Sequence, residues 1–323
     1  MKRKVIIDCD PGIDDSLALI YAIQHPDLEV VALTIVAGNV PVDLGIENAF
    51  KILERLNRLE IPVYVGADKP LVRDFVSAQD THGMDGLGES GINRTSNCQP
   101  QPQKASEFLA TYFQKAQDTS LITLGPLTNL AMAIKQNPQI GKHIKRFVSM
   151  GGSYKSHGNC SPVAEYNYWC DPHAAQFVYQ KLGRKIEMVG LDVTRAIVLT
   201  PNLLEYMRFL QPEVAEFVGR ITRFYWDFHW EYEHIIGCVI NDPLAIAHFL
   251  HEDLCTGFDS YVEVVTESIA LGQTVVDAYD FYHQPANAYI ATQVSPSLFF
   301  QDFLAILLNQ PKETIAQDLS SLL

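Results

Sequence analysis

Residues 5–24 read VIIDCDPGIDDSLALIYAIQ. A short apolar run meets a helix-like run through four aspartates, Asp8, Asp10, Asp14 and Asp15. VIID reads as a buried strand ending at Asp8. Pro11 and Gly12 turn the chain, and Asp14 to Gln24 reads as a helix. Asp14 and Asp15 then fall in the first helical turn, where free N–H groups and the dipole favour anions. Capping accounts for one or two of these aspartates. It does not account for four in eight residues, because like charges repel and each loses hydration on burial. A hard divalent cation takes carboxylate and carbonyl oxygens and would offset that repulsion. The loop is not an EF-hand, since DxDxDG with a glutamate at position twelve is missing.

Working outward, strand and helix signals alternate. LEVVALTIV (28–36) reads as a second buried strand, followed by a helix from about Leu44 to Leu56 and a short strand, PVYVG (62–66). A helix near Ala105 to Lys115 precedes the strand SLITL (120–124), and a helix from about Leu127 to Lys135 precedes RFVSM (146–150). Pro172 to Lys181 reads as a helix and KIEMVGLDV (185–193) as a strand. Continuous Val/Ile-rich runs joined by helices indicate an α/β fold, with an open, mainly parallel sheet covered on both faces. Sites in such sheets form beyond the carboxyl ends of the strands. Ser77 to Gln103 and Tyr154 to Trp169 lack the rhythm and read as long loops, a common place for function. Pro201 to about His234 reads as helical and carries the aromatic run FYWDFHWEYEH. With no repeat and no linker, residues 1–323 are expected to form one domain.

Composition narrows the function. The net charge of −14 argues against a non-specific nucleic-acid binder, which needs a basic face. The six cysteines form no CxxC pair and no zinc spacing, so reduced thiols are expected. The basic start MKRK runs at once into VIID, too short an apolar core for a signal peptide. No stretch approaches the ~20 apolar residues of a membrane span. A soluble, cytoplasmic protein acting on a small molecule is the expectation.

The loop DCDPGIDD resembles the D-x-D-P-G-x-D-D signature of the calcium-dependent nucleoside hydrolases, the inosine–uridine N-ribohydrolase family. The likeness continues through TIVAGNV, THGMDGLG, LGPLTNLAMA, VSMGGS, GNCSPVAEYN, WCDPHAA, GLDVT, NDPLAIAHF and TVVDAY…PANAYIA, in that order over nearly the whole chain. It looks closest to bacterial members of broad ribonucleoside specificity. The resemblance implies a Rossmann-like sheet, a homodimer or homotetramer, and hydrolysis of a ribonucleoside to ribose and free base for salvage. It implies Ca²⁺ held by Asp10, Asp15, Asp242 and the backbone carbonyl of Leu124. A metal-bound water has a lowered pKa, and Asp10 would take its proton. Asp14 resembles the acceptor of the ribose 2′-hydroxyl, with Asn39, Asn159, Glu165 and Asn167 as further sugar contacts and Met150 beneath the ring. Glu165 and Asn167, two apart in an extended stretch, would face the same way. Part of the aromatic run, His229 included, would line the base pocket.

The residues leave other readings open. Asp-Pro occurs at Asp10, Asp171 and Asp242, and Asp before Pro is an ordinary helix start. Spacing alone reads Asp171 as a cap, and only the resemblance assigns Asp242 to a metal. A strand ending in DxD also resembles the haloacid-dehalogenase phosphotransferases, with Asp8 as nucleophile; Pro-Gly after the second aspartate argues against it. Many family members carry a histidine before the last metal aspartate, where this chain has Asn241. Asparagine cannot deliver a proton at neutral pH. Either another histidine serves, His82, His229 or His234, or the leaving base needs little protonation. A relative that binds nucleoside without turnover is the further alternative.

Overall fold

The computed structural model describes residues 2–320. Its strands are β1 (Arg3–Cys9), β2 (Leu28–Ile35), β3 (Val63–Val65), β4 (Thr119–Thr123), β5 (Phe147–Met150), β6 (Ile186–Val189), β7 (Val198–Leu199), β8 (Cys238–Val239), β9 (Cys255–Ser260), β10 (Val262–Val264), β11 (Thr274–Val276) and β12 (Ala288–Val294). Eight of them form one sheet in the order β3-β2-β1-β4-β5-β6-β12-β9, while β7–β8 and β10–β11 are small separate pairs. All neighbours in the main sheet run parallel except β9 against β12. The 3-2-1-4-5-6 order is the doubly wound arrangement, and its switch point falls between β1 and β4.

Strand alternation builds both cores. Val5, Ile7 and Cys9 pack on one face with Leu17, Ile20, Leu244 and Phe303. Ile6 and Leu121 pack on the other with Leu130, Ile134 and Val178. Each such fully buried branched side chain contributes roughly 1.5–3 kcal/mol. The helix Ile13–Gln24 has only Gln24 exposed, so Asp14 and Asp15 are carried inward with it.

Several elements differ from the sequence reading. KIEMVGLDV is not one strand: β6 stops at Val189, and Leu191–Thr194 is a helical turn. Asp192 explains it, since its carboxylate accepts the N–H groups of Tyr154 (2.6 Å), Lys155 (2.7 Å) and Ser156 (3.0 Å). The helical stretch from Pro201 is two helices, Pro201–Leu210 and Pro212–Glu233. Gln211, forced extended by the following proline, sits between them at φ −144° and ψ 83°. The helix expected over Ala105 to Lys115 ends at Tyr112. The THG segment is not an open loop, because Gln79–His82 forms a short helix and buries His82. Among the described residues no helix is long and apolar enough to cross a membrane.

Candidate active site

The two strands at the switch point deliver the first residues. Leu124 N donates to Asp8 O (2.7 Å), which ties the end of β4 to β1. Beyond these ends lies a cavity of about 350 Å³ lined by Asp14, Asn39, His82, Leu124, Met150, Asn159, Glu165, Asn167, His229, Asn241 and Asp242. Asp10 and Asp15 are fully buried at its floor.

The floor is a carboxylate network. Asp15 accepts from Gly12 N (3.1 Å), Asp10 N (3.2 Å) and the Asn39 amide (2.8 Å). Asp10 accepts from Asn39 N (2.7 Å) through one oxygen. Its other oxygen, Oδ1, is buried with no hydrogen-bond partner among the described residues. Gly38 and Gly125 press against this carboxylate so closely that a Cβ on either would collide with it. One oxygen each of Asp14, Asp15 and Asp242 lie within 4.8 Å of one another. Asp14 Oδ2 accepts from Asn241 N (3.1 Å), Asn241 Nδ2 (3.1 Å) and the Tyr225 hydroxyl (3.4 Å). Asp8 lies beneath, taking hydrogen bonds from the Thr34 hydroxyl and from Asn129 Nδ2 (2.9 Å).

Such a network resists ionisation. Burial, then the charge of Asp15, raises Asp10 well above the carboxylate range. Burial, then the charge of Asp14, lifts Asp15 to about 7. Burial and the charges of Asp14, Asp15 and Asp10 raise Asp242. Burial alone carries Asp8 to about 7 against its two donors. A bound cation reverses this balance. Hard oxygens, a bare buried Asp10 Oδ1 and a neighbouring carbonyl are donors that suit Ca²⁺ or Mg²⁺. The Leu124 carbonyl accepts Asn167 Nδ2 at 2.7 Å and keeps a second lone pair.

The three Asp-Pro sites now separate. Asp171 is a true cap, accepting Ala174 N (2.9 Å), and it also takes Leu71 N (2.8 Å) and the Thr128 hydroxyl (2.7 Å). Asp242 is instead the first residue of its helix, preceded by Asn241, and no side-chain cap bond forms there. Asp10 turns its carboxylate away from the helix start, to Asn39.

Glu165 and Asn167 both reach the cavity, but not from an extended stretch. Glu165 is the N-cap of the helix Tyr166–Cys170, and Asn167 is inside it. The Glu165 carboxylate takes Gly152 N (2.9 Å), Asn167 N (2.8 Å) and Tyr168 N (3.2 Å), while burial pushes it up to about 7. Asn167 also approaches Met150 Sδ at 3.3 Å. Asn159 accepts Tyr166 N at 2.9 Å.

Sequence reasoning placed Tyr225 only within the aromatic run expected to border the base, and missed Tyr166 and Arg195. Tyr225 anchors Asp14 from the aromatic helix, whose composition was the one available signal. The Tyr166 hydroxyl lies 2.7 Å from Gly38 O and 2.8 Å from Val76 O, joining three loops. Arg195 lines the cavity, pairs with Glu233 (2.9 Å) and donates to Gly158 O (3.1 Å). His234 caps the aromatic helix in left-handed conformation and is exposed. A second cluster, His25, His251 and Asp302, lies at the far end of the Ile13–Gln24 helix. There His25 Nδ1 accepts Asp27 N (3.2 Å), so its proton sits on Nε2 facing Asp302; Lys312 completes an ion-pair hub.

The sequence profile described as inosine-uridine preferring nucleoside hydrolase matches residues 5–301. The chain is 40% identical to the pyrimidine-specific ribonucleoside hydrolase RihA of Shewanella oneidensis, over 90% of this chain and 91% of that protein. It is 35% identical to RihA of Salmonella typhimurium, over 94% and 98%. Among solved structures, the purine-preferring ribonucleoside hydrolase from Gardnerella vaginalis superposes with a TM-score of 0.88 at 30% identity, covering 98% of this chain and 99% of that one. A plant nucleoside hydrolase superposes with a TM-score of 0.89 at 29% identity, covering 95% and 99%.

Proposed function

Because the chain belongs to the inosine-uridine preferring nucleoside hydrolase family and hydrolyses ribonucleosides, we propose how its residues divide that work. Asp10, Asp15, Asp242 and the Leu124 carbonyl hold Ca²⁺. The bare, buried Oδ1 of Asp10 carries this reading, since a carboxylate oxygen in that position needs a cation or a proton. Asp14 is assigned to ribose on the resemblance: three protein donors hold its Oδ2 in place, and its Oδ1, which takes no protein donor among the described residues, is left to accept a sugar hydroxyl. When bound, the cation lowers the pKa of a water and neutralises the carboxylate floor. Asp10 takes the proton of the attacking water as the glycosidic bond opens toward an oxocarbenium-like ribosyl group.

Asn159, Glu165 and Asn167 grip the sugar hydroxyls, and Met150 packs beneath the ring. Gripping several hydroxyls at once lets remote binding support the reacting carbon. Asn39 holds Asp10 and Asp15 in place and supports the floor rather than the sugar. His82, Tyr225 and His229 border the base. The pyrimidine-specific relatives make uridine and cytidine the first substrates to assign. A single domain, a homodimer or homotetramer and a cytoplasmic site complete the reading; the oligomer is carried by the resemblance alone, and the cytoplasmic site by the reduced cysteines expected from the sequence.

The test is release of reducing sugar from a nucleoside panel by purified protein, with and without a strong chelator, beside Asp10→Ala. Hydrolysis lost on chelation, restored by Ca²⁺ and absent in Asp10→Ala supports the assignment. Full activity in chelator sinks the cation reading.

A further inference from the structure

The nitrogen that a histidine turns to the backbone fixes what its other nitrogen can do. Ile13 N–H donates to His82 Nδ1 at 3.1 Å. That nitrogen must be bare, and the proton of the neutral ring sits on Nε2. A second proton on Nδ1 would face the Ile13 N–H head-on, so His82 can donate a hydrogen bond but cannot become a proton carrier without breaking this contact. His229 is the reverse case. Its Nδ1 lies 2.8 Å from the Tyr225 carbonyl, which only accepts, so Nδ1 carries a proton. Nε2 is then free to gain and lose a second proton with the Nδ1 bond intact.

The two rings flank Tyr225, with centroids 5.2 Å and 4.4 Å from it, and all three line the cavity. The residue before Asp242 offers no alternative. Asn241 spends its amide on Asp14 (3.1 Å) and the Tyr225 oxygen (3.4 Å), and its buried Oδ1, without a partner among the described residues, only accepts. His234 is exposed at the end of the helix.

On the hydrolase reading above, we infer that His229 is the general acid of this enzyme, standing in for the proton donor that Asn241 cannot be. The imidazolium gives its Nε2 proton to the departing base as the C1′–N bond breaks and the bond's electron pair stays with the base. The water oxygen bonds to C1′ and loses one proton to Asp10. That proton returns through solvent to His229, so nucleoside plus water gives ribose plus neutral base. The groups facing His229 set how much of it is charged. Burial, the largest influence, holds His229 below the ordinary imidazole range, so the imidazolium is the minor form at neutral pH; the Tyr225 carbonyl, Glu233 on the same helix and Asp14 on the Ile13–Gln24 helix favour the cation, and Arg195 and His82 oppose it.

The test compares uridine with 4-nitrophenyl riboside, whose nitrophenolate leaves without a proton, in wild type, His229→Gln, His229→Ala and His82→Gln. General acid catalysis is typically worth about 10²–10⁴-fold. Both His229 variants are expected to slow uridine by about 100-fold or more and the aryl riboside far less, and the aryl rate doubles as a check on folding. His82→Gln is expected to raise KM for uridine without that selectivity. Equal slowing of both substrates in the His229 variants, or no slowing of uridine, overturns the inference. Chelator-insensitive wild-type activity would instead overturn the cation reading alone.

Discussion

Replacing Asn39 by alanine separates two roles that the sequence could not distinguish. By resemblance Asn39 is a sugar contact. In the structure its backbone N–H holds Asp10 at 2.7 Å and its amide holds Asp15 at 2.8 Å. Alanine keeps the first bond and removes the second. A hydrogen bond to a charged group contributes roughly 1.5–3 kcal/mol. Without it Asp15, already lifted to about 7 chiefly by burial, climbs by roughly one to two units at 1.36 kcal/mol per unit. A cation at pH 7 must then displace a more tightly held proton, and since wild-type Asp15 is already about half protonated there, apparent Ca²⁺ affinity falls by about 5- to 50-fold. The deficit should shrink at higher pH, where Asp15 ionises unaided. The assay is calorimetric titration of Ca²⁺ into chelator-treated wild type and Asn39→Ala at two pH values. A Ca²⁺ dissociation constant within threefold of wild type, together with a raised KM for uridine at saturating Ca²⁺, would refute this reasoning and return Asn39 to the sugar.

Asp171→Ala should be the structural counterpart: two backbone N–H groups and one hydroxyl lose their acceptor. Unfolding in urea should show a loss of about 2–4 kcal/mol with Ca²⁺ affinity unchanged. Glu187 gives a pH signature remote from the cavity. Burial opposes its charge, but the paired Arg146 contacts (both 2.6 Å) and His248 (2.9 Å) hold it at about 2 rather than 4.5. A depressed carboxylate stabilises above its unfolded pKa and loses that stability as pH falls toward its folded one. The ~2.5-unit gap corresponds to about 3 kcal/mol. The stability difference between wild type and Glu187→Gln should therefore shrink by about 2 kcal/mol between pH 7 and pH 3, and a difference that stays constant would count against the pairing.

Much of the fold is legible because period-2 and period-3.6 patterns are local. VIID, LEVVALTIV and RFVSM read as buried strands from their short apolar, β-branched runs, and the interleaved helices indicated a mainly parallel sheet. The errors lie where a distant group decides. Gly190 to Val193 carried on the apolar pattern of its strand, but Asp192 turned it into a helical bend by capping the loop at Tyr154 to Ser156. Nothing near Asp192 in the sequence announces a partner 36 to 38 positions away. His82 reads from the sequence only as part of the long loop Ser77 to Gln103, because its partner, Ile13 N–H, is 69 residues distant.

The same limit governs the three Asp-Pro pairs, identical in sequence and different in chemistry. A cap and a ligand both need a carboxylate before a helix. What distinguishes them is whether the nearest free N–H groups reach it. Ala174 N reaches Asp171, so that carboxylate is satisfied by its own helix and is left with nothing to offer a cation. At Asp10 the acceptors are filled on one side only, and the glycines at 38 and 125 leave room for the carboxylate but for no further side chain. At Asp242 the residue has slipped one position into the helix, so its carboxylate meets Asp15 rather than the helix end. That slip also puts Asn241 beside Asp14 and Tyr225. There its amide is consumed in holding an acid, which is why the proton donor has to be sought on the aromatic helix.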